Sequence, residues 1–414
     1  MKFITIVIGD ELLLGQVTDT NSGFIARQIA PYGWQSAETI TVGDNADDIR
    51  NAVDHALGKA ELVLLTGGLG PTKDDITKNT LCRYFGTELV FDPDTAANVE
   101  SIVAGRHLKL NDYTRAQAMV PAGCKVIQNL CGTAPILWFE RDGKVLVSMP
   151  GVPYETETMF PAGVLPLLVS HFHRDTNIRL AHMMVTGIIE SALAMKLDDF
   201  EKELPGHIHL AYLPQPGLIK LRLTGIHSDA ARLDKEISQA TDTLHQILGR
   251  HIVADEDLSL SGIVGKILGE KKLTLSTAES CTGGNIAHEI TRVAGSSDYF
   301  IGSVVSYHSD VKVHMLGVSQ EVIERETVVS RPVAEQMACG VADRLHTDCA
   351  IATTGIAGPG GGTPENPVGT VWIAARVGGK VQSKRVHIPG HRDRVIARAT
   401  NDALLLLLQM LLDN

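Results

Sequence analysis

The chain has 414 residues, 44% hydrophobic and 21% charged, enough for two to four globular units and too apolar for a disordered polypeptide. Its 37 basic and 48 acidic side chains leave a net charge of -11, a field that repels phosphate backbones and argues against nucleic acid as a partner. No signal-peptide pattern follows Met1, the longest apolar run (403–408) is far short of the about 20 residues a membrane span needs, and six scattered cysteines form no CxxC pair.

These features predict a cytoplasmic, multidomain protein with reduced thiols and no membrane partner. In chain order, residues 3–8 read as a buried strand and 21–31 as a helix. Residues 45–60 place Ile49, Val53, Ala56 and Leu57 on one helical face, and 61–66 form a strand stopped by Gly67-Gly68. This alternation implies crossover units and a mostly parallel sheet, whose ligands bind at the carboxyl ends of strands. A hairpin of 135–140 and 144–148 turns at Asp142-Gly143, and a helix over 161–169 precedes a polar boundary at 171–176. A smaller α+β stretch follows, with strands at 208–213 and 218–224 and an amphipathic helix through Leu233, Ile237 and Leu244. Asp255-Glu256-Asp257 marks the next boundary, with Ser259 as a helix N-cap. Strands at 273–278, 303–307, 349–354 and 369–377 then alternate with helices at 283–293, 331–346 (capped by Ser330) and 392–412. The resulting domains are 1–172, 173–256 and 257–414.

Two constellations carry chemistry. Gly67, Gly68, Gly70 and Thr72 join a strand to a helix expected to begin near Asp74-Asp75, where backbone N–H groups can approach a phosphate. Asp74 and Asp75, with Asp10 and Glu11 at the end of the first strand, are candidate ligands of a divalent metal. The same glycines also suit a plain tight turn, with the acids capping the helix. In the last third, Ser280 lies where a strand turns into a helix whose N–H groups are possible oxyanion donors. Lys312 is the candidate base, since a buried lysine can be tuned to about 7–8. Both residues also have ordinary structural fates, a helix cap and a surface charge. The glycine-rich 353–362 offers further donors, and Arg392 could hold a phosphate.

The stretches GDELLLGQVTDTN (9–21), TVGDN (41–45), TGGLGPTKDDITK (66–78), NLCGTAP (129–135) and MPGVPYE (149–155) resemble the amino-terminal domain of the CinA family. AESCTGG (278–284), GSS (295–297), VSYHSDVK (305–312), TTGIAGPGGG (353–362), NPVGTVW (366–372) and GHR (390–392) resemble its carboxyl-terminal domain. The resemblance implies an α/β protein in three parts: a molybdopterin-binding-like three-layer domain, a small KH-like α+β domain, and an α/β nicotinamide-nucleotide amidohydrolase domain. It implies deamidation of nicotinamide mononucleotide to nicotinate mononucleotide and ammonia, without a cofactor, in pyridine-nucleotide salvage. Carried over by position, Ser280 is the nucleophile and Lys312 the base, with Tyr307 supporting; Thr354, Gly355 and Arg392 orient the nucleotide and Ser297 lies nearby. For the amino-terminal domain it implies metal-dependent cleavage of ADP-ribose. This sequence departs from the family pattern at 308–311 (His-Ser-Asp-Val) and at His391. A homodimer is expected. The middle segment lacks the GxxG loop of nucleic-acid-binding KH domains and suits a spacer or dimer-forming role. The rival reading is a nucleotide- or molybdopterin-binding scaffold, linked to competence or DNA repair, whose amino-terminal site is vestigial.

Overall fold

Alternation within the first strand sets the two faces of the amino-terminal sheet. In the computed structural model, which describes residues 1–106, 108–172 and 177–413, β1 (Lys2–Ile8) turns Ile4, Ile6 and Ile8 to one face and Phe3 to the other. The sheet runs β2 (Gln35–Val42), β1, β3 (Leu62–Thr66), β6 (Lys144–Met149), β5 (Ile136–Arg141), β4 (Lys125–Ile127). The first four are parallel, and β5 and β4 are antiparallel additions. Helix α1 (Asn21–Ile29) packs Ile25 and Ile29 with Phe3, whereas α2 (Ala46–Lys59) packs Ile49 and Val53 with the isoleucine face. The result is three layers. Burial of each such side chain contributes roughly 1.5–3 kcal/mol. Asn45 caps α2 by accepting the N–H groups of Asp47 and Asp48. The half-exposed, polar edge strand β2 has no hydrophobic run and escapes a pattern-based reading.

The middle segment is α+β, with a sheet in the order β8 (Ile208–Gln215), β9 (Leu218–His227), β7 (Asn177–Val185), β10 (Ile252–Ala254) and the helices α4 (Glu190–Glu203) and α5 (Ala230–Leu248). Helix α3 (Thr77–Phe85) belongs to the first domain and starts later than the acids at 74–75 suggested. The described residues form two compact units, Met1–Arg179 with Ile226–Asp234, and Leu180–Gly225 with Lys235–Asn414. Met184, Leu218 and Ala254 of the middle segment share the core of the last domain. Most of the boundary at 171–176 lies outside the described residues.

The last domain opens with α6 (Leu260–Lys271), capped by the Ser259 hydroxyl. Its elements include β11 (Leu275–Glu279), α7 (Asn285–Thr291), β12 (Phe300–Val305), α8 (Ser309–Leu316), α9 (Arg331–Leu345), β13 (Cys349–Gly355), β14 (Thr370–Val377), β15 (Lys380–His387) and α10 (Arg392–Leu412). The sheet order is β12-β11-β13-β14-β15, parallel through β13 and antiparallel beyond. Ala278, Ala350, Ala352 and Ala374 make one face small, and Ala334 and Ala338 of α9 pack in the same cluster. Ser330 precedes α9 but does not cap it; its hydroxyl donates to the Thr327 carbonyl. Helix α10 is long and apolar enough to cross a membrane, which the run-length argument missed, but 67% of its most apolar window is buried. It packs against β14, α6 and α7, and that placement explains an almost all-round apolar surface.

Candidate active site

Ser280 follows the last residue of β11, and its N–H still reaches the Thr353 carbonyl of β13 at 3.0 Å. Gly283 and Gly284, both at positive φ, then turn the chain into α7. Lys312 arrives from α8, after the neighbouring strand β12. Its Nζ donates to Ser280 Oγ at 2.9 Å and to the Ser306 carbonyl at 2.5 Å. The lysine is only 2% exposed, and burial pushes its ammonium down to about 8. Burial pushes the adjacent Cys281 thiol up to about 12, so it stays protonated and a poor nucleophile.

The α7 amino terminus does not supply the anticipated oxyanion donors. Glu279, fully buried, accepts the N–H groups of Gly284 (2.9 Å), Ile286 (3.0 Å) and Ala287 (2.8 Å), and the Thr282 hydroxyl at 2.8 Å. The N–H groups of Cys281 and Thr282 make no hydrogen bond to another described residue and are the donors left at this turn. A cavity of about 310 Å³ opens beside Ser280 and Lys312, lined also by Tyr307, His308, Thr354 and Arg392. Arg392, on the first turn of α10, donates to the Gly358 carbonyl at 2.8 Å and to the Tyr307 hydroxyl at 2.7 Å.

A second cavity, of about 470 Å³, lies at the carboxyl ends of the first sheet and is lined by Gly67, Gly68, Gly70, Glu11, Asp74 and Asp75. Asp19, Asp44 and Glu155 add carboxylates to its wall, and no Lys, Arg or His is among the lining residues. Burial and the charges of Asp10, Glu11 and Asp74 hold the Asp44 carboxyl above its usual range. Asn21 Oδ1 and Thr66 Oγ1 are buried in this wall with no hydrogen-bond partner among the described residues. The donor set therefore suits a hard divalent cation in charge. In geometry it is not a preformed cage, because no three His, Cys, Asp or Glu among the described residues converge on one point.

Three family models tile the chain: "Probable molybdopterin binding domain" over residues 4–170, "Damage-inducible protein CinA KH domain" over 182–254, and "CinA C-terminal domain" over 257–411. A CinA-like protein of Flavobacterium psychrophilum is 42% identical across 100% of this chain and 99% of its own length. The chain belongs to the CinA family. A CinA-like protein of Gemmatimonas aurantiaca is 41% identical over 98% of this chain and 95% of its own. A solved structure, the competence/damage inducible protein CihA from Agrobacterium tumefaciens, is 38% identical over 37% of this chain and 94% of its own, with a TM-score of 0.36. The molybdopterin-binding-like, KH-like and CinA carboxyl-terminal parts thus follow one another as the motifs implied.

Within this CinA-family chain the fold brings Ser280, Lys312, Tyr307, Thr354, Gly355 and Arg392 to one cavity. Thr354 lines it, but its hydroxyl donates to the Val328 carbonyl at 2.7 Å and so secures a neighbouring loop. Ser297 is not brought there. It precedes β12, and since β12 runs parallel to β11, it lies at the opposite end of the sheet from Ser280. Asp10 does not line the amino-terminal cavity; it exchanges hydrogen bonds with Asp44, which does, each carboxylate accepting the other's N–H at 3.1 Å. Asp75 accepts the N–H groups of Gly70 (2.8 Å) and Thr72 (2.9 Å) and the Thr72 hydroxyl (2.5 Å). Asp10, Asp75 and Thr72 thus serve the loop, and two N–H groups meant for a phosphate turn inward. Gly67 and Gly68 have a packing reason: a Cβ would stand 2.2 Å from the Ile8 carbonyl oxygen and 2.1 Å from Thr77 Oγ1. Glu279, Asp19, Asp44 and Glu155 escaped the sequence reading. Only Glu279 had a signal, a carboxylate in an apolar strand one turn ahead of a helix.

Proposed function

We propose that the carboxyl-terminal site hydrolyses the carboxamide of nicotinamide mononucleotide to nicotinate mononucleotide and ammonia. The supporting observation is the 2.9 Å contact between Lys312 Nζ and Ser280 Oγ, made by a buried amine shifted to about 8. The neutral amine accepts the serine proton as Oγ bonds to the carboxamide carbon. The Cys281 N–H, on a residue that lines the cavity, is the donor offered to the developing oxyanion, where one such donor stabilises the transition state by about 3 kcal/mol. As the C–N bond breaks, Lys312 returns the proton to the leaving ammonia. Water then attacks the acyl-serine ester, gives its proton to Lys312, and Ser280 recovers it as the acid departs. Arg392, braced by Tyr307, takes the phosphate.

The test is incubation of the purified chain with nicotinamide mononucleotide. Equal amounts of ammonia and nicotinate mononucleotide are expected, and neither from Ser280→Ala. A folded protein that releases no ammonia rejects the reading.

The acidic wall of the amino-terminal cavity favours a second activity, metal-assisted cleavage of the ADP-ribose diphosphate. With carboxylates alone in that wall, a diphosphate enters as its complex with a divalent cation, held by Glu11 and Asp74. The cation would neutralise phosphate charge. ADP-ribose that binds with magnesium yet stays intact would leave this unit a nucleotide-binding scaffold.

A further inference from the structure

A further cavity, of about 670 Å³, belongs to neither site. It lies between α10 and the segment that follows β15, with Pro216 of the β8–β9 turn at its rim. That turn is seated on the helix: a Cβ on Gly217 would stand 2.0 Å from Leu405 Cδ1. Two arginines of α10 line the cavity, Arg394 and Arg398. Four residues apart, they share one helical face. Arg398 Nε pairs with the buried Asp402 at 3.3 Å, and no ion pair is formed by Arg394 among the described residues. The pair of arginines therefore keeps one uncompensated positive charge, in a chain of net charge -11. Pro216, Val386, Ile388, Pro389 and Ala397 form the apolar part of the remaining wall, and His387, Asn401 and the Asp402 carboxylate its polar part.

Arg392 is two residues from Arg394, about 200° around the helix, and it turns to Tyr307 and Gly358 instead. The two cavities share no lining residue. A partly apolar cleft of this size, carrying two arginines on one helical face, has the makings of a ligand site.

We propose that this cleft binds a nucleoside monophosphate, its phosphate on Arg394 and Arg398 and its base against Pro216, Val386 and Ile388. The site is separate from the proposed deamidase site and does not depend on that assignment.

Calorimetric titration of the full chain with AMP tests it, with a chelator present so that the metal-dependent amino-terminal cavity takes no nucleotide. Saturable binding is expected to persist in Arg392→Ala and to weaken at least about tenfold in Arg394→Glu, the size of a lost charged hydrogen bond. Ala397→Trp, at an exposed position, should block the cleft without removing a charge. Adenosine and inorganic phosphate should each bind more weakly than AMP. Binding that survives both Arg394→Glu and Ala397→Trp, binding removed by Arg392→Ala, or no saturable binding overturns the proposal. Phosphate that binds as tightly as AMP overturns the nucleotide assignment.

Discussion

Gly340 of α9 approaches Leu316 so closely that a Cβ built on it would stand 1.8 Å from the Leu316 carbonyl oxygen. Leu316 is the last residue of α8, the helix that carries Lys312. Backbone contact between two helices thus fixes where the lysine sits, and a single methyl group must push them apart. Gly340→Ala should cost about 1–3 kcal/mol of stability, as overpacking does. Under the proposed reaction it should also lower kcat more than it raises KM. Chemical denaturation and steady-state kinetics check both, and an unchanged kcat would mean that the Lys312 position tolerates the shift.

Ser280 and Cys281 are consecutive, yet only Ser280 touches Lys312. Ser280→Ala should lose on the order of a thousandfold or more in ammonia release, and Lys312→Ala nearly as much. The double variant should fall little further, because the two act as a unit. Cys281→Ala should keep most activity. The reverse ranking would assign the chemistry to the thiol.

The pH profile follows from the lysine. Burial lowers its pKa to about 8, so below that value most molecules hold a protonated amine that cannot accept the Ser280 proton. Turnover should climb with pH, about tenfold per unit at low pH, and level off above about 8. A profile flat from pH 6 to 9 would remove Lys312 from the role of base.

Divalent metal separates the two cavities. A chelator should abolish any cleavage of ADP-ribose and leave ammonia release untouched, since the Ser280–Lys312 sequence moves protons only among side chains, water and substrate. Ammonia release that vanished on chelation and returned with magnesium would reject the serine–lysine assignment.

Sequence alone determined the alternating α/β order and the motif-bearing turns, because these rest on local periodicity and on short strings of residues; Ser280 and Lys312 were singled out by resemblance to the CinA family. Helix α10, from Arg392 to Leu412, was legible to its ends. What needed the tertiary structure was every property set by residues far apart in the chain. Only the parallel register of β11 and β12 sends Ser297 to the far end of the sheet, and only the packing of α8 buries Lys312 enough to shift it. Likewise, the acids at 74–75 read as metal ligands by proximity in sequence, whereas hydrogen bonds across the loop commit Asp75 to Gly70 and Thr72. Burial and hydrogen-bond direction decide which polar groups remain free for a ligand, and both are sums over neighbours that a linear pattern does not contain.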